Sequence, residues 1–218
     1  PVVTTLPAPA PVEPFELHDG DRVVFVGDTL FERERALGYF ETLLTVQFPD
    51  RKIAFRNLGW GADLPNGKSR ASFDWNQPPD VWFGKLTNQV AIADPTVVML
   101  GYGMAASFEG PAGVAGFRAD LGRLIDGIQA NARHEVRFVL LTPIAHQDLG
   151  GAFPKGEKHN EDLRLYAEAI RELGKERQLR VVDLYAPEGA VADPARGYVE
   201  TANGIHLTPA GYLLMASK

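Results

Sequence analysis

The chain has no cysteine among its 218 residues, which excludes disulfides, thiolate nucleophiles and cysteine-held metals. The compartment stays open on that evidence, because a domain of this size needs no disulfide to be stable. No apolar run is long enough to cross a bilayer. Basic residues are in the minority: 22 Lys and Arg stand against 28 Asp and Glu, for a formal net charge of -6. That balance argues against a nucleic-acid or anionic-membrane surface, where a basic face is expected. The G-x-G-x-x-G turn of a dinucleotide fold is missing after the first apolar run, so a flavodoxin-like nucleotide binder is the weakest functional reading.

What is present is ordinary for a folded domain, with 45% hydrophobic and 23% charged residues. The first residues differ. Pro1 to Pro14 (PVVTTLPAPAPVEP) is rich in Pro, Ala and Val without a period and reads as an extended tether. We set residues 1–20 apart from a single domain over residues 21–218. The tether lacks the basic start and apolar core of a signal peptide. It fits a position behind a removed signal or another domain. Gly211 to Lys218 (GYLLMASK) starts as an apolar helix and stops after about two turns. The expectation is therefore a piece of a longer protein with further domains, in a secreted or periplasmic setting.

Short apolar runs alternate with longer amphipathic ones. Arg22 to Val26, Ile53 to Asn57, Thr96 to Leu100, Arg137 to Thr142 and Arg180 to Leu184 are Val/Leu/Phe-rich and nearly continuous, as in strands covered on both faces. Helical spacing marks Phe31 to Gln47, with a break expected at Gly38, then Val81 to Ala93, Gly116 to Ala130 and Asn160 to Arg177. Asn160 is the expected N-cap of the last. The alternation predicts an α/β chain, a three-layer α/β/α sandwich around a five-stranded parallel sheet in the flavodoxin-like order. Function in such sheets lies beyond the carboxyl ends of the strands. Leu64 to Asp80, long, polar and punctuated by Pro and Gly, is a candidate lid or binding loop.

Four blocks fall just past the apolar runs or near the end of the chain: Gly27-Asp28-Thr29-Leu30, Asn57 to Asp63 (NLGWGAD), Gly101 to Ser107 (GYGMAAS) and Asn203 to Thr208 (NGIHLT). In that order, on that alternation, they resemble the SGNH/GDSL hydrolases, over nearly all of Asp21 to Lys218. The resemblance implies a serine-type ester hydrolase. A hydroxyl attacks the ester carbonyl, a histidine takes its proton, and an acid before that histidine orients it. Backbone N–H groups and an asparagine side chain hold the oxyanion. The chemistry implies no cofactor and no metal.

Carried over residue by residue, the resemblance puts Thr29 on the nucleophile, beside Asp28, and His206 on the base. A threonine hydroxyl can attack, but its methyl restricts χ1, and a turn residue or N-cap is the competing role. The oxyanion glycine falls on Ala62, one after Gly61. The amide donor falls on Ala105, or on Gly103 in the alternative register, and neither has a donor side chain. Losing one such donor costs about 2–4 kcal/mol of transition-state stabilisation; Ser107 and Tyr102 are candidate substitutes. The triad acid is replaced by Asn203, with Ala202 one further back; Glu200 and Asp183 are the nearby carboxylates, Asp183 as a loop cap.

Other residues carry two readings each. Trp60, Trp75 and Trp82 can stack on a sugar or pack in the core. Arg33 and Arg35 can bind an anionic substrate or form a solvated helix face. His146 and His159, after the fourth run, can line the cleft or not. Two functions of different class follow: a weak hydrolase of an acyl or acetyl ester, with a small-molecule or carbohydrate ester as partner, and a binding module that keeps the cleft without catalysis.

Overall fold

The computed structural model describes residues 15–71, 76–186 and 200–217; Trp75 and the tether lie outside them. The apolar runs form β1 (Arg22–Gly27), β2 (Ala54–Asn57), β3 (Val97–Gly101), β4 (Arg137–Leu141) and β5 (Arg180–Val182). All pair in parallel, in the order β2-β1-β3-β4-β5. The expected strands are thus present, with ends shifted by one or two residues.

The helices are α1 (Thr29–Glu34), α2 (Tyr39–Gln47), α3 (Pro79–Ile92), α4 (Val114–Asn131), α5 (Glu157–Arg177) and α6 (Pro209–Ala216). The break is real and wider than one residue: α1 ends at Glu34 with Arg35 as its C-cap, and Gly38, with a φ of 68°, is the N-cap of α2. Asn160, by contrast, is not the cap of α5. The helix starts at Glu157 behind Gly156, and the Asn160 side chain instead holds the chain after β4, accepting from His146 N at 2.8 Å and donating to His146 O at 2.9 Å.

Successive strand residues point to opposite faces, and both faces are covered. Val24, Val26, Val98 and Leu140 pack under Leu86 and Val90 of α3, Leu121 and Leu124 of α4, and Tyr166 and Ile170 of α5. Val23, Phe25, Val97 and Val139 pack on the other side with Phe31 of α1, Phe40 of α2 and Tyr212 and Met215 of α6. Burying each such side chain contributes about 1.5–3 kcal/mol before entropy is counted. This double covering explains why the strand runs are continuous rather than alternating.

One close approach sets the geometry of the site. Gly27 and Gly101 are partners across β1 and β3. A Cβ on Gly27 would sit 2.0 Å from Gly101 O, and one on Gly101 would sit 2.6 Å from the Phe31 ring. Only glycine at both positions lets Phe31 tuck beneath the turn that carries Thr29.

Candidate active site

The turn after β1 is built by Asp28. Its side chain caps α1, accepting from Leu30 N at 3.2 Å, and its other oxygen accepts weakly from Ala105 N at 3.4 Å. Burial raises its pKa to about 7 against those two bonds, with the Asp63 charge adding to the rise. Thr29 is the first residue of α1, not its cap. Its Oγ1 accepts from Ala62 N at 3.0 Å.

The second block brings that N–H into place. Asn57 ends β2 and donates to Phe31 O at 2.8 Å while accepting from Gly59 N at 2.9 Å, so the block is tied to α1. Trp60 N donates to Gly27 O at 2.9 Å, and Asp63 N closes a turn on Trp60 O at 3.1 Å. Ala62 occupies that turn with a φ of 53°, the left-handed region that glycine adopts without cost and alanine does not. Asp63, buried just beyond, accepts at Oδ2 from Arg70 Nε at 3.0 Å, Arg70 Nη2 at 2.7 Å and Tyr102 OH at 3.0 Å. Arg70 also donates to Leu58 O at 2.7 Å. This Asp63–Arg70 pair braces the turn. Sequence reasoning missed it, since nothing local in Leu64 to Asp80 marks Arg70 as buried.

In the third block Ala105 follows β3 at the expected position of the amide donor, and Gly103, with φ of 128°, is packed on Pro143. In both registers the side-chain donor is missing. Neither candidate substitute replaces it. Tyr102 lines the pocket, but its hydroxyl donates to Asp63. Ser107 is fully buried, donating to Met104 O at 2.7 Å and meeting His159 Nε2 at 2.8 Å.

His206 sits on a tight loop before α6. Ala202 N donates to His206 O at 2.7 Å and Thr208 N to Glu200 O at 2.8 Å. Tyr212 OH donates to Leu30 O at 2.7 Å, tying α6 to the turn that carries Thr29. Asn203 Oδ1 accepts from His206 N at 3.0 Å and Ile205 N at 3.4 Å. With its oxygen held by backbone donors, the amide must turn its NH2 to His206 Nδ1, 3.0 Å away. His206 Nδ1 is then an acceptor, and the ring proton rests on Nε2. A triad acid imposes the opposite tautomer. Burial and then the Arg33 charge lower the His206 pKa, which favours the neutral ring.

Asp28, Thr29, Leu30, Tyr102, Met104, Ile144, Ile205, His206 and Tyr212 are among the residues lining one pocket at the carboxyl ends of β1, β3 and β4. Thr29 and His206 thus line the same pocket, and no hydrogen bond joins them among the described residues. Ala62 reaches the pocket through Thr29, and Ala105 through Asp28. Gly103 needs its positive φ in the turn after β3, whereas Gly61, beside Ala62, has open space where a Cβ would stand. Among the described residues no cluster of three metal-ligating side chains occurs, and no helix is long and apolar enough to cross a membrane. His146 and His159 do not line the pocket; they hydrogen-bond to each other, Nδ1 to Nδ1, at 3.0 Å. Asp183 closes β5 on Thr142 and Arg171, a loop cap as expected. Trp60, within the second block, is 47% exposed, and Trp82 is half-buried.

A hydroxyl at the tip of β1 and an imidazole from the loop before α6, lining one pocket at the carboxyl ends of a parallel sheet, fit the SGNH hydrolase fold. The GDSL-like lipase/acylhydrolase family model matches residues 20–214, and the chain belongs to that family. No curated protein sequence matches it. Among solved structures it is similar to the acetylxylan esterase of Geobacillus stearothermophilus (16% identity, TM-score 0.64, covering 93% of this chain and 94% of that one). It is also similar to a lipase/acylhydrolase of Enterococcus faecalis (22%, 0.62, 90% and 92%). A gut microbial diltiazem-metabolizing enzyme matches at 20% identity and TM-score 0.66, with 94% of this chain covering only 47% of that protein.

Proposed function

We propose that the chain is a slow ester hydrolase acting on a small acyl or acetyl ester, with Thr29 as nucleophile and His206 as base. The observation that carries this reading is the 3.0 Å hydrogen bond from Ala62 N to Thr29 Oγ1, made beside the pocket that His206 also lines. It places the hydroxyl next to a backbone donor suited to an oxyanion. Thr29 Oγ forms the bond to the ester carbon as its proton passes to His206 Nε2, and the carbonyl π pair becomes the oxyanion. Collapse breaks the bond to the alcohol, which leaves with that proton. Water, deprotonated in turn by His206, cleaves the threonyl ester, releases the acid and regenerates Thr29.

Two features make this slow. His206 Nε2 must be bare to accept a proton, but the Asn203 contact favours Nε2–H, so only a minor tautomer reacts. The oxyanion also lacks a side-chain amide at Ala105, a loss of about 2–4 kcal/mol. The acetyl class of substrate is carried over from the acetylxylan esterase as an analogy of fold. The tautomer favours one second reading, a binding module in which Nε2–H and the Thr29 hydroxyl hold an acceptor-rich ligand without turnover.

The test is hydrolysis of p-nitrophenyl acetate by the parent and by Thr29→Ala, both checked for folding. Slow, saturable turnover in the parent and none in the variant is the expected result. Equal turnover in the two would remove Thr29 as nucleophile, and no turnover in either would leave the binding module.

A further inference from the structure

A second, open groove adjoins the pocket and shares Leu207 and Tyr212 with it. Its floor is apolar, from Ala36, Leu37, Leu207 and Pro209, and its rim carries Glu32, Arg33 and Arg35. Leu37 stays 37% exposed there. Of the rim charges, Glu32 faces Arg35 at 4.0 Å. Elsewhere Arg22, Arg70, Arg123 and Arg171 are each held by a carboxylate, whereas Arg33 has no such partner among the described residues. It is nevertheless close enough to His206 to act on its proton equilibrium. An exposed cation with no partner, at the junction of an apolar groove and a reactive cleft, is a place for an anion attached to an apolar body.

We propose that this groove seats the far end of the cleft's ligand, a short apolar chain ending in a carboxylate, with the carboxylate on Arg33 and the chain on Leu37, Leu207 and Pro209. The assignment of the near end rests on the ester-cleft reading, since Thr29 and His206 mark where the reacting bond lies. The rim carries more positive than negative charge and so selects an anion, and the apolar floor favours a monoanion on an apolar chain over a bare, strongly hydrated phosphate. The substrate class that follows is an ester bearing a free carboxylate a few carbons from the scissile bond.

The experiment is an NMR titration with hexanoate, using hexanol and inorganic phosphate as controls, and it needs no turnover. Saturable shifts at Leu37, Leu207 and Arg33 are expected, with hexanol at least about threefold weaker, the size of one exposed ion pair. Arg33→Gln, on an exposed helix face and therefore foldable, is expected to weaken hexanoate by about that factor and leave hexanol unchanged. Hexanoate should also raise the His206 pKa, because it neutralises the charge that helps lower it. Thr29→Ala should bind hexanoate as the parent does, so a failed ester reading and a failed groove reading give different results. Hexanol equal to hexanoate, phosphate equal to hexanoate, or hexanoate binding indifferent to Arg33→Gln would each overturn the proposal.

Discussion

In the buried set, Ser107 Oγ lies 2.8 Å from His159 Nε2 and His159 Nδ1 lies 3.0 Å from His146 Nδ1. In the cleft, Thr29 and His206 line one pocket, yet each hydrogen-bonds elsewhere, to Ala62 and to Asn203. The buried set has the distances of nucleophile, base and orienting group and cannot act. Ser107 is fully buried, and its proton goes to Met104 O, so it accepts from His159 Nε2–H. His159 Nδ1 then accepts from His146 Nδ1–H, and His146 Nε2, buried without a partner against Gly204, is left as a bare acceptor. The reverse polarity would bury an unpaired donor, which natural structures tolerate less. The cleft set is open to ligand but its chain is interrupted. A catalytic site is thus defined by access and by proton direction, and short distances alone do not make one.

The largest expected effect comes from closing the chain in the cleft. Asn203→Asp supplies two acceptor oxygens, one for the backbone N–H groups of Ile205 and His206 and one for His206 Nδ1–H, so Nε2 becomes the base. Thr29→Ser removes the methyl, and Ala105→Asn restores the amide donor. Because members of such a unit act together, single repairs fall short of the combined change. The triple variant is expected to hydrolyse p-nitrophenyl acetate at least about tenfold faster than the parent at neutral pH, since one donor alone is worth more than that. A folded triple variant no faster than the parent would show that the cleft serves binding.

Next in size are two opposite pH effects on stability. The Asp28 pKa rises from 3.8 to about 7 on folding, so the stability it supplies is complete below pH 3.8 and is lost as pH rises to 7. Asp28→Asn, read by denaturant unfolding, is expected to gain up to about 4 kcal/mol on the parent between pH 4 and pH 7. For His159, in the buried set, the pKa falls from 6.5 to about 4, through burial and then the His146 charge. The unfolded chain takes that proton first, so stability is lost as pH drops from 6.5 to 4. His159→Gln should escape about 1–2 kcal/mol of that loss, the full shift being discounted because the ring is only part-buried. A parent and His159→Gln with parallel pH profiles would mean that the imidazole pair is charged in the folded state.

The fold was legible because burial on both faces leaves its mark on nearly every residue of the inner strands β1, β3 and β4. Val23 to Val26 needs no neighbour to be recognised, and Gly38 announces its own break. The turns that carry Thr29, Ala62 and Ala105 were legible for a related reason, as turns past strand ends carry local signatures. Hydrogen-bond direction was not. Asn160 has the chemistry of a cap and uses it on His146, fourteen residues away. Tyr102 and Ser107 were candidate donors until the fold gave their hydroxyls to Asp63 and Met104. The orientation of Asn203 depends on two backbone N–H groups whose direction only the closed loop fixes.

The smallest expected effect separates the shape of the oxyanion turn from its side chains. Ala62 holds a left-handed φ of 53°, which costs a residue with a Cβ about 1–2 kcal/mol. Glycine would remove that cost but loses more backbone entropy on folding, about 0.5–1 kcal/mol. Ala62→Gly is therefore expected to stabilise the protein by up to about 1 kcal/mol. The residue is exposed and its methyl makes no core contact, so no cavity term opposes the gain. Its N–H stays on Thr29 Oγ1, and activity should change little. If Ala62→Gly instead raised ester turnover strongly, the alanine would be holding the N–H off the oxyanion position. The interruption in the cleft would then lie on the Thr29 side as well as at His206.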